Sequence, residues 1–264
     1  MISKNIIFNC NTVNVFTDAS VKKHNDGITE SIAGSLLQYQ FYDENHQIKS
    51  NEIIKCTRLI PSTNNEGEIY AILMGIQMCI EHKSKSKKDY KYNLFSDSKI
   101  SIFGLREWYK SWISNGIIHN DLLNSSGEVI KNKQIFLRCF NSIITSKINI
   151  DLIHIRGHMN NDPKKYKQFI DNFVSSNYFS EYPSDDLAMS LIYYNDIVDR
   201  TTRDMLLPNH QYDIPTISLN NYNEDKWYSN IVNKNCYLFE HTPNLLYKNK
   251  NEYEQMITYK NRRN

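Results

Sequence analysis

Four acidic residues stand in settings that predict shared chemistry. Asp18 follows Val13-Asn14-Val15-Phe16-Thr17, whose alternation of apolar and polar residues predicts a strand ending in an acid. Asp97 ends a similar run, Tyr92-Asn93-Leu94-Phe95-Ser96. Glu68 opens an apolar helical stretch within Thr63-Asn64-Asn65-Glu66-Gly67-Glu68-Ile69, and Asp199 lies in a late helical segment, Tyr193-Tyr194-Asn195-Asp196-Ile197-Val198-Asp199-Arg200. Carboxylates brought together repel one another strongly unless cations lie between them. Hard oxygen ligands suit Mg²⁺ or Mn²⁺. The chemistry expected of such a cluster is two-metal cleavage of a phosphodiester.

Each acid also has an ordinary explanation. Asp18 suits a strand end or an Asx turn, Glu68 complements a helix N-terminus, and Asp97 suits the N-cap of a following helix. Glu66, two residues before Glu68, is an equal candidate by type alone.

The elements that must position these acids can be read in chain order. Strands are predicted over 13–17, 31–39 and 51–59. Turn signals at Asn25-Asp26-Gly27 and Asp43-Glu44-Asn45 join them and favour antiparallel neighbours. A helix over 65–82, capped by Asn64 or Asn65, carries Ile69, Ile72, Leu73 and Ile76 at helical spacing. The basic run 83–88 reads as a solvated turn more than a phosphate-binding patch. A strand over 90–96 leads into aromatic-rich helices bearing Phe103, Trp108 and Trp112, broken at Ser114-Asn115-Gly116. A helix over 130–147 and a fifth strand over 148–156 follow. A short helix opens at Pro163 and runs to Ser176, and a long one spans 185–207 with Ser184 or Asp185 as cap. Hairpins mixed with βαβ crossovers predict an α/β domain over 1–207, a five-stranded mixed sheet with helices on both faces. Residues 208–264, rich in Asn and Tyr and without periodicity, form a C-terminal extension to which the sequence assigns no role.

Composition sets the outer bounds. Lys and Arg total 31 against 29 Asp and Glu, so any nucleic-acid contact must be local and not a property of the whole surface. The mean hydropathy of −0.58 and the lack of an apolar run near membrane-spanning length predict a soluble protein away from membranes. The N-terminus has no long apolar stretch of the signal-peptide kind. The five cysteines are scattered and odd in number, as expected of reduced thiols in the cytoplasm. Heavy use of Asn, Lys, Ile and Tyr hints at an AT-rich genome, viral in one reading, which would make the compartment a host cytoplasm.

Over roughly residues 11–207 the chain resembles the type 1 ribonucleases H. The resemblance rests on T-D-A-S at 17–20, T-N-N-E-G-E at 63–68, S-D-S at 96–98, Trp108 and Trp112, I-K-N at 130–132, R-G-H at 156–158 and N-D-I-V-D-R at 195–200, all in the family's order. It implies that Asp18, Glu68, Asp97 and Asp199 bind two Mg²⁺ ions, with Mn²⁺ as a substitute, and that His158 is the catalytic loop histidine. It implies that Asn64, Asn65 and Asn132 touch the minor groove of an RNA/DNA hybrid. The Trp108/Trp112 segment would grip the DNA strand. Surface or core roles remain open for His158, Asn132 and the two tryptophans. The family's glycine after the first acid is Ala19 here, and its glycine-rich turn is replaced by 21–27. An insertion over about 159–184 separates His158 from the last acid, which makes Asp171 a rival to Asp199. Asn195, four residues before Asp199, matches the family's spacing and favours the latter.

The expected activity is therefore a monomeric endonuclease that hydrolyses the RNA strand of RNA/DNA hybrids to 5′-phosphate and 3′-hydroxyl ends. A DNA nuclease or junction resolvase on the same fold is one alternative. A non-catalytic scaffold is another, with a partner for the extension that the sequence does not name.

Overall fold

The computed structural model describes residues 8–86, 88–116, 121–157, 163–208, 214–217 and 238–240. The five expected strands are β1 (Thr12–Lys23), β2 (Thr29–Tyr42), β3 (Ile48–Leu59), β4 (Lys91–Ser96) and β5 (Ile150–His154). The helices are α1 (Asn64–Lys85), α2 (Lys99–Phe103), α3 (Tyr109–Gly116), α4 (Lys133–Ser146), α5 (Pro163–Ser176) and α6 (Asp185–Asp204). A π-helical turn, Gly104–Trp108, joins α2 to α3.

Among the described residues the sheet has seven strands, not five. Six run in the order β5-β4-β1-β2-β3-β6, where β6 is Thr216–Ile217, and β7 (Leu238–Glu240) also pairs with β3. Both extra strands come from the predicted extension. Strands of two and three residues carry no periodicity, so nothing in the sequence marks them. Short hairpins make β1, β2 and β3 antiparallel. The α1 and α2–α4 crossovers make β1, β4 and β5 parallel.

The side chains of β1 divide between two cores. Val13 and Val15 join α1 and α4 on one face, and Phe16 joins α5 and α6 on the other. The central strand is thus covered on both sides, and the polar Asn14 is fully buried. It is satisfied in place: its Nδ2 donates to Gln38 Oε1 at 3.2 Å and its Oδ1 accepts from Asn93 Nδ2 at 2.9 Å.

Boundaries shift where local chemistry outweighs periodicity. α4 starts at Lys133 because Asn132 adopts a left-handed conformation, φ 59°, and Ile130 N–H bonds to the Leu122 carbonyl. α1 extends through Lys85, and Lys83 Nζ reaches the carbonyls of Ser146 and Lys147 at the end of α4. Part of the basic run is therefore a helix-to-helix tie.

Candidate active site

Asp18 is a mid-strand residue, not a strand end. β1 pairs with β2 as far as Lys23, but its parallel ladder with β4 stops at Thr17 and Ser96. Past that point β1 pairs with no strand on its β4 side among the described residues, and β4 turns away through Asp97. The gap is a crevice beyond the carboxyl ends of parallel strands, where open α/β sheets place their ligands. It brings Asp18 and Asp97 together.

Glu68 enters from α1. Thr63, not Asn64 or Asn65, caps this helix. Its Oγ1 accepts from Glu66 N–H at 3.3 Å, and Glu66 Oε2 accepts from Thr63 N–H at 2.6 Å. This capping box occupies Glu66, while Glu68 faces the sheet, only 7% exposed. One oxygen each of Asp18, Glu68 and Asp97 lie within 4.8 Å of one another. Glu68 Oε2 is buried with no hydrogen-bond partner among the described residues.

Asp199 arrives on α6, 5% exposed, and lines the same cleft as the other three acids. Asp171 sits on the exposed side of α5 and does not line it. Arg203, one turn beyond Asp199, donates from Nη2 to Asp199 Oδ2 at 2.7 Å and also borders the cleft. Two cations hold the end of α6: Lys22 Nζ meets the Leu206 carbonyl at 3.4 Å and Arg58 Nη2 the Met205 carbonyl at 3.3 Å.

The electrostatics follow from this crowding. Burial, then the charges of Asp97 and Asp199, hold the Asp18 carboxyl well above its ordinary range, against the Ala19 N–H and Arg203. Burial, then Asp18, Asp97 and Asp199, does the same to Glu68. Asp97 is fixed from behind. Its carbonyl meets His154 Nε2 at 3.2 Å, and a methyl group on Gly157 would overlap its Oδ2. Burial lowers the His154 pKa, against the bond to the Asp97 carbonyl, which raises it. The loop at 156–157 can approach Asp97 this closely because residue 157 has no side chain.

The remaining predicted site residues separate. Asn64 lines the cleft and Asn65 is exposed beside it. Trp112 packs edge-to-face with Phe136, ring centroids 5.0 Å apart, and supports Trp108 at 6.3 Å, a residue 38% exposed. Asn132 is half-buried at the start of α4 and does not line the acidic cleft. His158 lies outside the described residues. Arg203 and His154 were not singled out from the sequence. The i, i+4 spacing of Asp199 and Arg203 is a visible signal for the first; a buried histidine at a strand end carries none.

A buried carboxylate cluster with a partnerless oxygen fits hard divalent cations such as Mg²⁺ or Mn²⁺. Among the described residues no cysteine joins it, and the nearby His154 ring nitrogen is turned to a backbone carbonyl.

The RNase H family profile matches residues 10–178. A ribonuclease H of Legionella pneumophila (strain Lens) is 29% identical over 97 residues, which is 37% of this chain and 58% of that protein. The chain thus spans little more than half the length of that relative. A ribonuclease H of Rickettsia massiliae is 28% identical over 128 residues, 48% of this chain and 69% of that protein. Among solved structures, LC9-RNase H1, a type 1 RNase H with the type 2 active-site motif, aligns with a TM-score of 0.43 at 16% identity, covering 67% of this chain and 76% of that one.

Proposed function

Because the chain belongs to the RNase H family, we propose that it is a ribonuclease H that hydrolyses the RNA strand of RNA/DNA hybrids, leaving 5′-phosphate and 3′-hydroxyl ends. The observation that carries this is the meeting of Asp18, Glu68 and Asp97 within 4.8 Å, with Asp199 on the same cleft. A pair of Mg²⁺ ions, with Mn²⁺ as substitute, would supply an activated water and charge stabilisation at the scissile phosphate. Asp18, which faces all three other acids, would be the shared ligand. Glu68 and Asp97 would hold the leaving-group side and Asp199 the water side. His158 would move protons or help product leave.

Strand choice would come from groups that sense the 2′-hydroxyl, which donates and accepts a hydrogen bond. The carboxamides of Asn64, Asn65 and Asn132 do both. The exposed face of Trp108, braced by Trp112 and Phe136, would pack on deoxyribose, where a 2′-hydroxyl would be desolvated. The chain would work as a monomer in a reducing cytoplasm, where the buried thiols of Cys10, Cys79 and Cys139 would stay reduced.

The test is cleavage of an RNA/DNA hybrid with Mg²⁺, Mn²⁺ or EDTA, beside duplex and branched DNA. Hybrid cleavage that EDTA abolishes, with DNA left intact, is expected. Preference for branched DNA, or cleavage by Asp18→Asn at the wild-type rate, would overturn the proposal.

A further inference from the structure

Gly34 stands directly opposite Asp18 in the β1–β2 ladder. The two therefore share the sheet face that α6 covers. A methyl group on Gly34 would meet Thr202 Cγ2 at 2.6 Å and Val198 Cγ1 at 3.2 Å. Those two residues bracket Asp199 on its helix, one position before and three after. Ser20, two residues beyond Asp18 on the same face, lies 2.9 Å from Thr202 Oγ1. Thr202 Oγ1 in turn donates to the Asp199 carbonyl at 3.0 Å. Since Thr202 spends its hydrogen there, Ser20 is the donor in the first bond. Thr202 is fully buried and Ser20 nearly so, which leaves little water to compete for either bond.

We propose that Gly34, Ser20 and Thr202 are positioning residues that fix the separation of Asp199 from Asp18 before any cation arrives. The cluster needs such a device. Asp18 and Asp199 repel each other across the cleft, and with no cation between them that repulsion opposes the seating of α6 on β1. The Ser20–Thr202 bond opposes the separation from one side. The missing side chain at 34 lets the helix seat deeply enough for the bond to form. Carboxylate ligands must be held to within about half an ångström of productive geometry, so a helix lifted by one methyl group would place Asp199 out of reach of a shared ion. The inference rests on the metal-dependent activity proposed above and concerns the Asp199 side of it.

The experiment titrates the full chain with Mn²⁺ by calorimetry without substrate, with circular dichroism as the check on folding and hybrid cleavage measured in parallel. Gly34→Ala is expected to lose about tenfold or more in Mn²⁺ affinity, the range typical of groups that orient metal ligands, and to lose kcat more than it raises KM. Adding Thr202→Ser removes the Cγ2 that the new methyl strikes and keeps the hydroxyl, so the double variant should regain most of the lost affinity. Ser20→Ala adds no atoms and so no clash, should fold even if Gly34→Ala does not, and should also bind Mn²⁺ more weakly. Wild-type titration curves for Ser20→Ala, or for a folded Gly34→Ala, would overturn the proposal, as would a double variant no better than the single one. A wild-type chain that takes up no Mn²⁺ would remove the metal-dependent activity itself, and the positioning role with it.

Discussion

Asp18 and Glu68 are buried acids whose ionised forms are disfavoured by burial and by the charges of neighbouring carboxylates. An acid with a raised pKa in the folded state binds its proton to a higher pH there than in the unfolded chain. Its contribution to stability is intact below the unfolded values, ordinarily 3.8 for Asp18 and 4.5 for Glu68, and falls away as pH rises toward the folded ones. Glu68→Gln should therefore abolish cleavage yet raise the metal-free Tm at pH 7–8, with little change near pH 4. Each kcal/mol regained is worth about 2–4 °C in a chain of this size. Thermal scans of both proteins in EDTA check this, and an unchanged or lower Tm at neutral pH would refute it. Saturating Mg²⁺ should narrow or reverse the difference, because ligand binding to the folded state stabilises only the protein that binds it. At this scale the sequence was informative about type and silent about surroundings. The preference for Glu68 over Glu66 came from the family's spacing, while the capping box of Thr63 and Glu66, where the sequence placed the cap at Asn64 or Asn65, is what occupies Glu66. The tight approach of Gly157 to Asp97 was not legible, since it depends on where two distant loops meet.

The elements that carry the acids were largely visible as periodic runs, and their exact seating was not. Trp108 and Trp112 have the same type and lie one helical turn apart, so spacing could not assign them different work. The structure does: Trp112 braces on Phe136, while Trp108 leaves 38% of its surface open. Trp108→Ala should raise the KM for hybrid several-fold with Tm nearly unchanged. Trp112→Ala should cost stability first, on the order of 3 kcal/mol as for other large core truncations. Steady-state kinetics beside thermal melts separates the two; a Trp108→Ala variant with an unchanged KM would take that side chain out of substrate contact. The π-helical turn that presents Trp108 is tied down by Arg106, whose Nη1 donates to Asn177 Oδ1 at 2.9 Å and whose Nη2 donates to the Ser176 carbonyl at 2.7 Å. Asn177 in turn bonds both the N–H and the carbonyl of His154 at the end of β5. The insertion predicted between His158 and Asp199 thus ends in a clasp over the sheet edge and the aromatic turn. None of its described residues lines the acidic cleft.

On the scale of the whole molecule, two apolar cores grip the sheet from opposite faces, and Asp199 depends on the second. That core does not stop at the boundary drawn from composition at 208. Ile214 is buried in it, 6% exposed, in the core that also holds Met205 and Val198. The backbone after it continues the sheet: the Pro215 carbonyl accepts from Arg58 N–H and the Ile217 carbonyl from Ile60 N–H, both at 2.9 Å. The signal was lost because two paired residues and one buried isoleucine in an Asn- and Tyr-rich background form no periodic pattern. Ile214→Ala should cost about 2–4 kcal/mol, the usual range for emptying a buried isoleucine site, and lower Tm by roughly 2–4 °C for each kcal/mol. The four acids belong to β1, α1, the end of β4 and α6, none of which contains residue 214. At a temperature where the variant stays folded, its kcat on hybrid should therefore match that of the wild type. A loss of kcat without a loss of Tm would mean that the segment after Pro208 serves the cleft directly. A full-stability variant would show that Ile214 adds nothing to the core, and that the catalytic unit ends where composition alone would place it.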